Sequence, residues 1–270
     1  MLWCILVNTT PKYMSLAEVQ IACIRRYATE LDYVPIFLAT ELRPYDPTVD
    51  RILNIHNVHY ISLQKEESGF IESRLSAVNY LPREYEIVLP LQEDFWLDRS
   101  PDYVALNEAM KIFNMNSYVK SIRLMPSPGP VESDAKYNND SRWRILSESD
   151  TYRFTFQATL WRTEDYTKFL EKILMSASKD FKDSGQPDTH WAKHCIRNNV
   201  AENEKGQEIF KTVCMSPTSI HLSVERAHKY RNAVFLAPWP YRPTAVVQGK
   251  LEDWAKEFIE REGFRIDFQT

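Results

Sequence analysis

Two adjacent carboxylates, Glu93 and Asp94, close an apolar run that reads Ile87-Val88-Leu89-Pro90-Leu91-Gln92. Acids at the carboxyl end of a strand put hard oxygen ligands on the rim of a sheet, where a divalent cation can hold a diphosphate. The plainer reading is polar punctuation after a buried strand. Structural strands commonly exit through Gly, Asn or Pro, however, whereas these acids run into Phe95-Trp96-Leu97, which need burial of their own. A second group is His190 and His194, four residues apart on a predicted helix, the spacing that lets two imidazoles face one zinc ion. Between them stand Trp191, Ala192 and Lys193, which supply no general base and add a cation opposed to a metal. A polar helix face is the alternative for that pair.

The elements that must carry the acids follow an α/β rhythm. Residues 1–7 are an apolar first strand, followed by the polar turn Asn8-Thr9-Thr10-Pro11 and a helix for which Ser15 and Glu18 have the spacing of a capping box. Residues 33–39 and 58–63 read as strands, 70–81 as a helix with Ile71, Leu75, Val78 and Leu81 on one face, and 87–91 as the strand bearing the acids. Residues 102–113 continue as a helix and 118–125 as a strand. A proline-rich polar loop over 126–141 reads as a flap or an insertion on the acceptor side. An alternating strand over 154–161 and a helix over 163–175, capped by Thr163 and opened by Glu164 and Asp165, begin the second half. Strands alternating with helices imply a mainly parallel sheet flanked by helices, with ligands beyond the carboxyl ends of its strands. Asn8-Thr9-Thr10, Thr40-Glu41 and Glu93-Asp94 then share one rim.

The chain has 270 residues, enough for one large core, and is read as a single domain. A net charge of -4 without a Lys/Arg cluster gives no attraction to nucleic acid. Cys4, Cys23, Cys195 and Cys214 form no CxxC pair and read as reduced structural thiols. The apolar start lacks a basic leader and is too short for a membrane span, so a cytosolic protein with no integral membrane segment is expected. With six glycines, no P-loop and no GxGxxG, phosphate binding would fall to metal and side chains.

Three segments carry a resemblance: residues 88–97, then Phe156-Gln157-Ala158-Thr159-Leu160-Trp161-Arg162, then Val247-Gln248-Gly249-Lys250-Leu251. Together they resemble the nucleotide-diphospho-sugar transferases of the GT-A fold, in particular small GT-A-like enzymes of bacteria and large DNA viruses. The resemblance implies a Rossmann-like, mixed and mainly parallel sheet, with a donor half over 1–125 and an acceptor half over 126–270. Gln92-Glu93-Asp94 looks like the family's Asp-x-Asp motif, with Gln92 in place of the first acid. It implies Asp94 as the direct ligand of Mn2+ or Mg2+, with Glu93 on a water, the ribose, the sugar or the metal. Arg74 matches by position a basic residue that contacts the nucleotide, its alternative being a solvated helix arginine. Asn8, Thr9 and Thr10 follow the first strand where the family grips the nucleotide, and Glu41 follows the second, where base or ribose is read. Turn chemistry alone also selects Asn and Thr there. Gln157 and Trp161 fall on the strand lining the acceptor side, where a tryptophan face suits a pyranose ring.

The family's catalytic base, which takes the proton from an acceptor hydroxyl when configuration inverts, is matched by Asp188 at a predicted helix start; an ordinary N-cap is the alternative, and the one that the residue pattern favours. His221 and His228 are available to complete a metal shell, and structural histidines are the alternative. The expected function is metal-assisted transfer of a sugar from a nucleotide-diphosphate sugar to a hydroxyl of a glycan or other acceptor. A catalytically silent sugar- or nucleotide-binding domain and a zinc hydrolase using His190 and His194 are the alternatives.

Overall fold

Leu2–Asn8 (β1) and Ile36–Glu41 (β2) are buried almost throughout, and Tyr85–Gln92 (β4) is buried over Ile87, Val88, Leu89 and Leu91, the signature of parallel strands covered on both faces. The computed structural model describes residues 1–41, 46–63, 69–125, 135–138, 142–147, 154–184, 219–224, 237–242 and 244–266. Val58–Leu63 (β3) alternates buried and more open positions, as an edge strand does. With Trp96–Leu97 (β5), Val119–Arg123 (β6), Trp143–Ile145 (β7), Thr159–Arg162 (β8) and Ile220–Val224 (β9), the main sheet runs in the order β3-β2-β1-β4-β8-β6-β9-β7, β5 standing outside it. β8 pairs antiparallel to β4 and β6, and β7 antiparallel to β9, while β1, β2, β3 and β4 are mutually parallel and β9 is parallel to β6. The expected class, a mixed and mainly parallel sheet flanked by helices, is the one observed.

Helices cover both faces. Ile5, Val7, Leu89 and Leu91 lie in one core cluster with residues of Met14–Tyr27 (α1), Pro47–Leu53 (α2), Tyr103–Met115 (α4) and Asp253–Glu262 (α6). Cys4, Leu6, Ala39 and Val88 lie in another with residues of Phe70–Asn79 (α3) and Thr163–Ser184 (α5). Successive strand residues thus feed opposite faces. The chain builds outward from β1 to β2 and β3, then returns past β1 to lay down β4, so the strand order reverses between β1 and β4. Ligands of such sheets bind at that crevice.

Several local expectations are corrected. Ser15 lies inside α1, which follows a 3-10 turn with Pro11 at its start, and Glu18 instead forms a two-pronged pair with Arg51 at 2.7 and 2.8 Å. Thr163 donates its hydroxyl hydrogen to the Tyr85 carbonyl at 2.7 Å and so ties α5 to β4. The strand expected over 154–161 forms only as β8, which begins where its ladder with β6 ends at Arg123 and Thr159, its ladder with β4 being shorter still and ending at Val88. Pro90, two residues on, has no amide hydrogen to offer a neighbouring strand. Two short elements outside the expectation, α2 and β7, have different causes. Asp46 caps α2 by accepting from the Thr48 amide at 2.9 Å, ahead of Pro47, a local signature. β7 is three residues held by β9.

Candidate functional site

The rim at the β1/β4 crevice collects most of the expected residues. Asn8 stands level with Gln92 on β4 and with Ala39 on β2. Asn8, Thr9, Glu41 and Arg74 are all buried, while Thr10, Gln92, Glu93 and Asp94 keep part of their surface open. The alternation of the strands puts Asn8, Glu41 and Gln92 on the side of the sheet covered by α3 and α5.

The backbone of the acid turn is held from three directions. Gln20 of α1 donates its amide to the Gln92 and Phe95 carbonyls at 2.5 and 3.4 Å, and the Phe95 amide closes the turn onto the Gln92 carbonyl at 3.3 Å. The Trp96 indole donates to the Glu93 carbonyl at 3.0 Å. From the carboxyl-terminal region, the Ala245 amide donates to the Asp94 carbonyl at 3.1 Å and the Val246 amide reaches the Asp94 carboxylate. Ala245 leads into a hairpin of Val246–Val247 (β11) and Lys250–Leu251 (β12), whose turn places Gln248 at φ 50° and Gly249 at φ 78°. This is the third segment of the resemblance, and it sits against the first.

The carboxyls are in an electrostatically costly place. Burial, followed by the neighbouring Asp94 charge, pushes Glu93 up to about 8, against the pull of Arg74. Burial also pushes Asp94 up to about 6, opposed by backbone amides and Arg74. Arg74 is 6% exposed; its guanidinium carbon lies 3.3 Å from the centroid of Phe70 and 5.4 Å from that of Phe156, and it donates to the Phe70 carbonyl at 3.1 Å. It is therefore a buried cation whose charge acts on both acids, and the solvated-arginine alternative does not hold.

Asn8 is 3% exposed, and among the described residues neither its amide nitrogen nor its amide oxygen has a partner; the Thr40 hydroxyl and the Gln20 amide oxygen are in the same condition. Buried polar atoms normally have partners, so the Asn8 amide at the crevice is what a polar ligand would complete. Two adjacent acids that burial drives toward the neutral form suit a divalent cation, which restores the charged form of its ligands. Among the described residues no group of three or more His, Cys, Asp or Glu side chains is arranged to hold a metal unaided, so further ligands would come from the substrate or water.

Other expected residues fall elsewhere. Trp161 is 2% exposed, packed against Phe154, Tyr166 and Phe169, so its ring is a core element rather than an open platform for a sugar. Gln157 borders the crevice, its side-chain oxygen accepting from the Tyr241 hydroxyl. His221 is buried in mid-sheet, level with Ser121, Trp161 and Val88, three strands from β4, and is bonded to the Ser121 hydroxyl at 2.8 Å; it is structural, not part of a metal shell. Asp188, His190, His194 and His228 lie outside the described residues. Gln20, Tyr166 and Tyr241 were not anticipated; a glutamine interrupting the apolar face of α1 was the one local signal.

No family model matches the sequence, and no curated protein matches it. Solved structures that align with the chain include S. aureus TarS, a cytidylyltransferase and a xylosyltransferase. S. aureus TarS 1-349 in complex with UDP aligns at 11% identity and a TM-score of 0.47, covering 83% of this chain and 61% of that one, so the chain spans about three-fifths of its length. A cytidylyltransferase from Leptospira borgpetersenii aligns at 12% and 0.45, covering 100% and 98%. Mouse xyloside xylosyltransferase 1 aligns at 9% and 0.39, covering 84% and 98%. Among the described residues no helix is long and apolar enough to cross a membrane.

Proposed function

We propose that the chain transfers a sugar from a nucleoside-diphosphate sugar to an acceptor hydroxyl at the β1/β4 crevice. The observation that supports this best is the convergence there of an unpartnered buried amide, Asn8, a buried cation, Arg74, and two acids, Glu93 and Asp94, raised above their ordinary range. Asn8, Thr9, Thr10 and Glu41 hold the nucleoside by hydrogen bonds, and Gln92 and Glu93 face the donor sugar. Asp94, with Glu93, would hold a Mn2+ or Mg2+ ion, whose chemistry is to offset the charge of the departing diphosphate. Arg74 adds a fixed positive charge in a water-poor place, where it acts more strongly than in solution. Residues 1–125 supply this donor side. The remainder supplies the acceptor side, with Gln157 at its border and Asp188 as the base if configuration inverts.

A thermal-shift panel of nucleoside diphosphates and their sugars, with and without manganese, tests the reading. A ligand at a hundred times its Kd adds about 2.7 kcal/mol to stability. A metal-dependent rise with one nucleotide is expected, and a flat panel would sink the proposal. Gln92, where the resemblance calls for an acid, favours as second reading a domain that binds nucleotide sugar without turning it over. Metal-dependent release of sugar from the bound donor excludes that reading.

A further inference from the structure

Beside the rim, on the face covered by α3 and α5, β4 and the chain leading into β8 part company. Their ladder stops at Val88, and the gap left along Pro90, Leu91 and Gln92 is faced by Thr155, Phe156 and Gln157. The result is a cavity of about 10 Å3, also lined by Arg74, Trp161 and Tyr166, with room for a single water and far too little for a sugar ring. Tyr166, from the first turn of α5, is 1% exposed, and its hydroxyl has no partner among the described residues. A hydroxyl buried in that state is costly.

The remaining polar groups of the lining can complete a water's bonds. Gln157 has its side-chain oxygen occupied by the Tyr241 hydroxyl and its backbone amide by the Thr155 hydroxyl oxygen at 2.9 Å, which leaves its side-chain NH2 to donate. The Gln92 side chain offers both a donor and an acceptor, and the Tyr166 hydroxyl can do either. The count reaches the two to four partners that a buried water requires. Arg74, which also lines the cavity, acts electrostatically on Tyr166, Glu93 and Asp94 alike.

We propose that this cavity holds one ordered water bonded to Tyr166, Gln92 and Gln157, and that Tyr166 thereby acts as a positioning residue for the rim, fixing Gln92 beside Glu93 and Asp94. The positioning half rests on the nucleotide-sugar reading; the water does not.

The test is Tyr166→Phe in the full chain, read by Tm and by calorimetric Kd for ribonucleoside diphosphates with manganese, the latter well below the Tm. With the water in place, the variant loses a satisfied hydrogen bond: Tm falls and Kd weakens about three- to tenfold. A rise in Tm would mean that a dry, unpaired hydroxyl had been removed and would overturn the water. A lower Tm with unchanged Kd would overturn the positioning role, because a merely structural bond would not alter affinity in the folded protein. If the wild type binds no diphosphate, the nucleotide-sugar reading and the positioning role both fall, while the sign of the Tm change still decides the water. Should the variant not fold, a high-resolution crystal structure of the wild type decides: oxygen density within hydrogen-bond distance of the Tyr166 hydroxyl is expected, and an empty cavity overturns the proposal.

Discussion

Glu93 and Asp94 have their backbones fixed by Gln20, Trp96 and Ala245, which holds two acids side by side despite their repulsion. Both carboxyls have folded values above their ordinary ones, chiefly from burial, so the folded state binds protons more tightly than the unfolded chain. The stability this contributes is fully present below the ordinary values of 3.8 and 4.5 and is lost as pH rises through about 6 for Asp94 and about 8 for Glu93. In EDTA the Tm should therefore fall from about pH 5 to pH 8, Glu93→Gln should flatten the upper part of that fall, and manganese should shrink it. A Tm independent of pH over this range would count against the acid environment described here. Asp94→Ala is expected to abolish the metal-dependent stabilisation by nucleotide while changing the ligand-free stability by no more than about 1 kcal/mol, because it removes a carboxylate that burial already disfavours. Retained metal-dependent binding in that variant, measured by calorimetry, would remove Asp94 from the site. These acids were legible in the sequence because they end an apolar run. Gln20 was not, because its contact with the acid turn bridges 72 residues and only the packing of α1 creates it.

At the level of elements, periodicity located β3 at its observed bounds and β1, β4, α3 and α4 to within a few residues, since each has a buried face that only one period satisfies. It overextended β8, where the alternating side chains of 154–158 serve an aromatic cluster instead of a ladder. Where β8 begins is set by its partners, at the end of its ladder with β6, so no reading of residues 154–161 alone contains it. In place of strand pairing, this segment is held by Tyr241, in the two-residue strand Tyr241–Arg242 (β10) that pairs with β5. The Tyr241 hydroxyl accepts from the buried Ala158 amide at 3.2 Å and donates to the Gln157 side chain, while its ring stacks on Phe95 at 4.7 Å. Tyr241→Phe keeps the stacking and leaves the Ala158 amide without its partner, so a loss of about 1–3 kcal/mol is expected from urea unfolding. An unchanged midpoint would show that the hydroxyl is not what fastens β10 to this segment.

Across the whole molecule the two ends of the sheet carry different loads. The rim end keeps Asn8 and Thr40 polar atoms without a partner among the described residues and a pair of disfavoured carboxyls, all of which weaken the free protein and suit a ligand. The opposite end is closed by two arginines that cap loose carbonyls. Arg25 donates to the carbonyls of Leu31, Val34, His56 and Asn57 at 3.0–3.2 Å, gathering the turns that precede β2 and β3. Arg162, at the end of β8, donates to Val119, Phe113 and Asn116 at 2.8–3.0 Å, joining the end of α4 to the start of β6. Hydrogen bonds from a charged donor contribute about 1.5–3 kcal/mol, and truncation leaves several carbonyls short of partners at once. Arg25→Met should therefore lower stability by about 2–4 kcal/mol, while the folded variant binds nucleoside diphosphate with wild-type Kd, because this residue is a full strand length from the rim. Asp94→Ala should do the reverse, weakening the ligand and sparing the fold. Calorimetric Kd beside urea midpoints for the two variants checks this division. A ligand affinity that fell with Arg25→Met at temperatures where the variant is fully folded would mean that the two ends are coupled through the sheet, and the site could no longer be treated as a rim property.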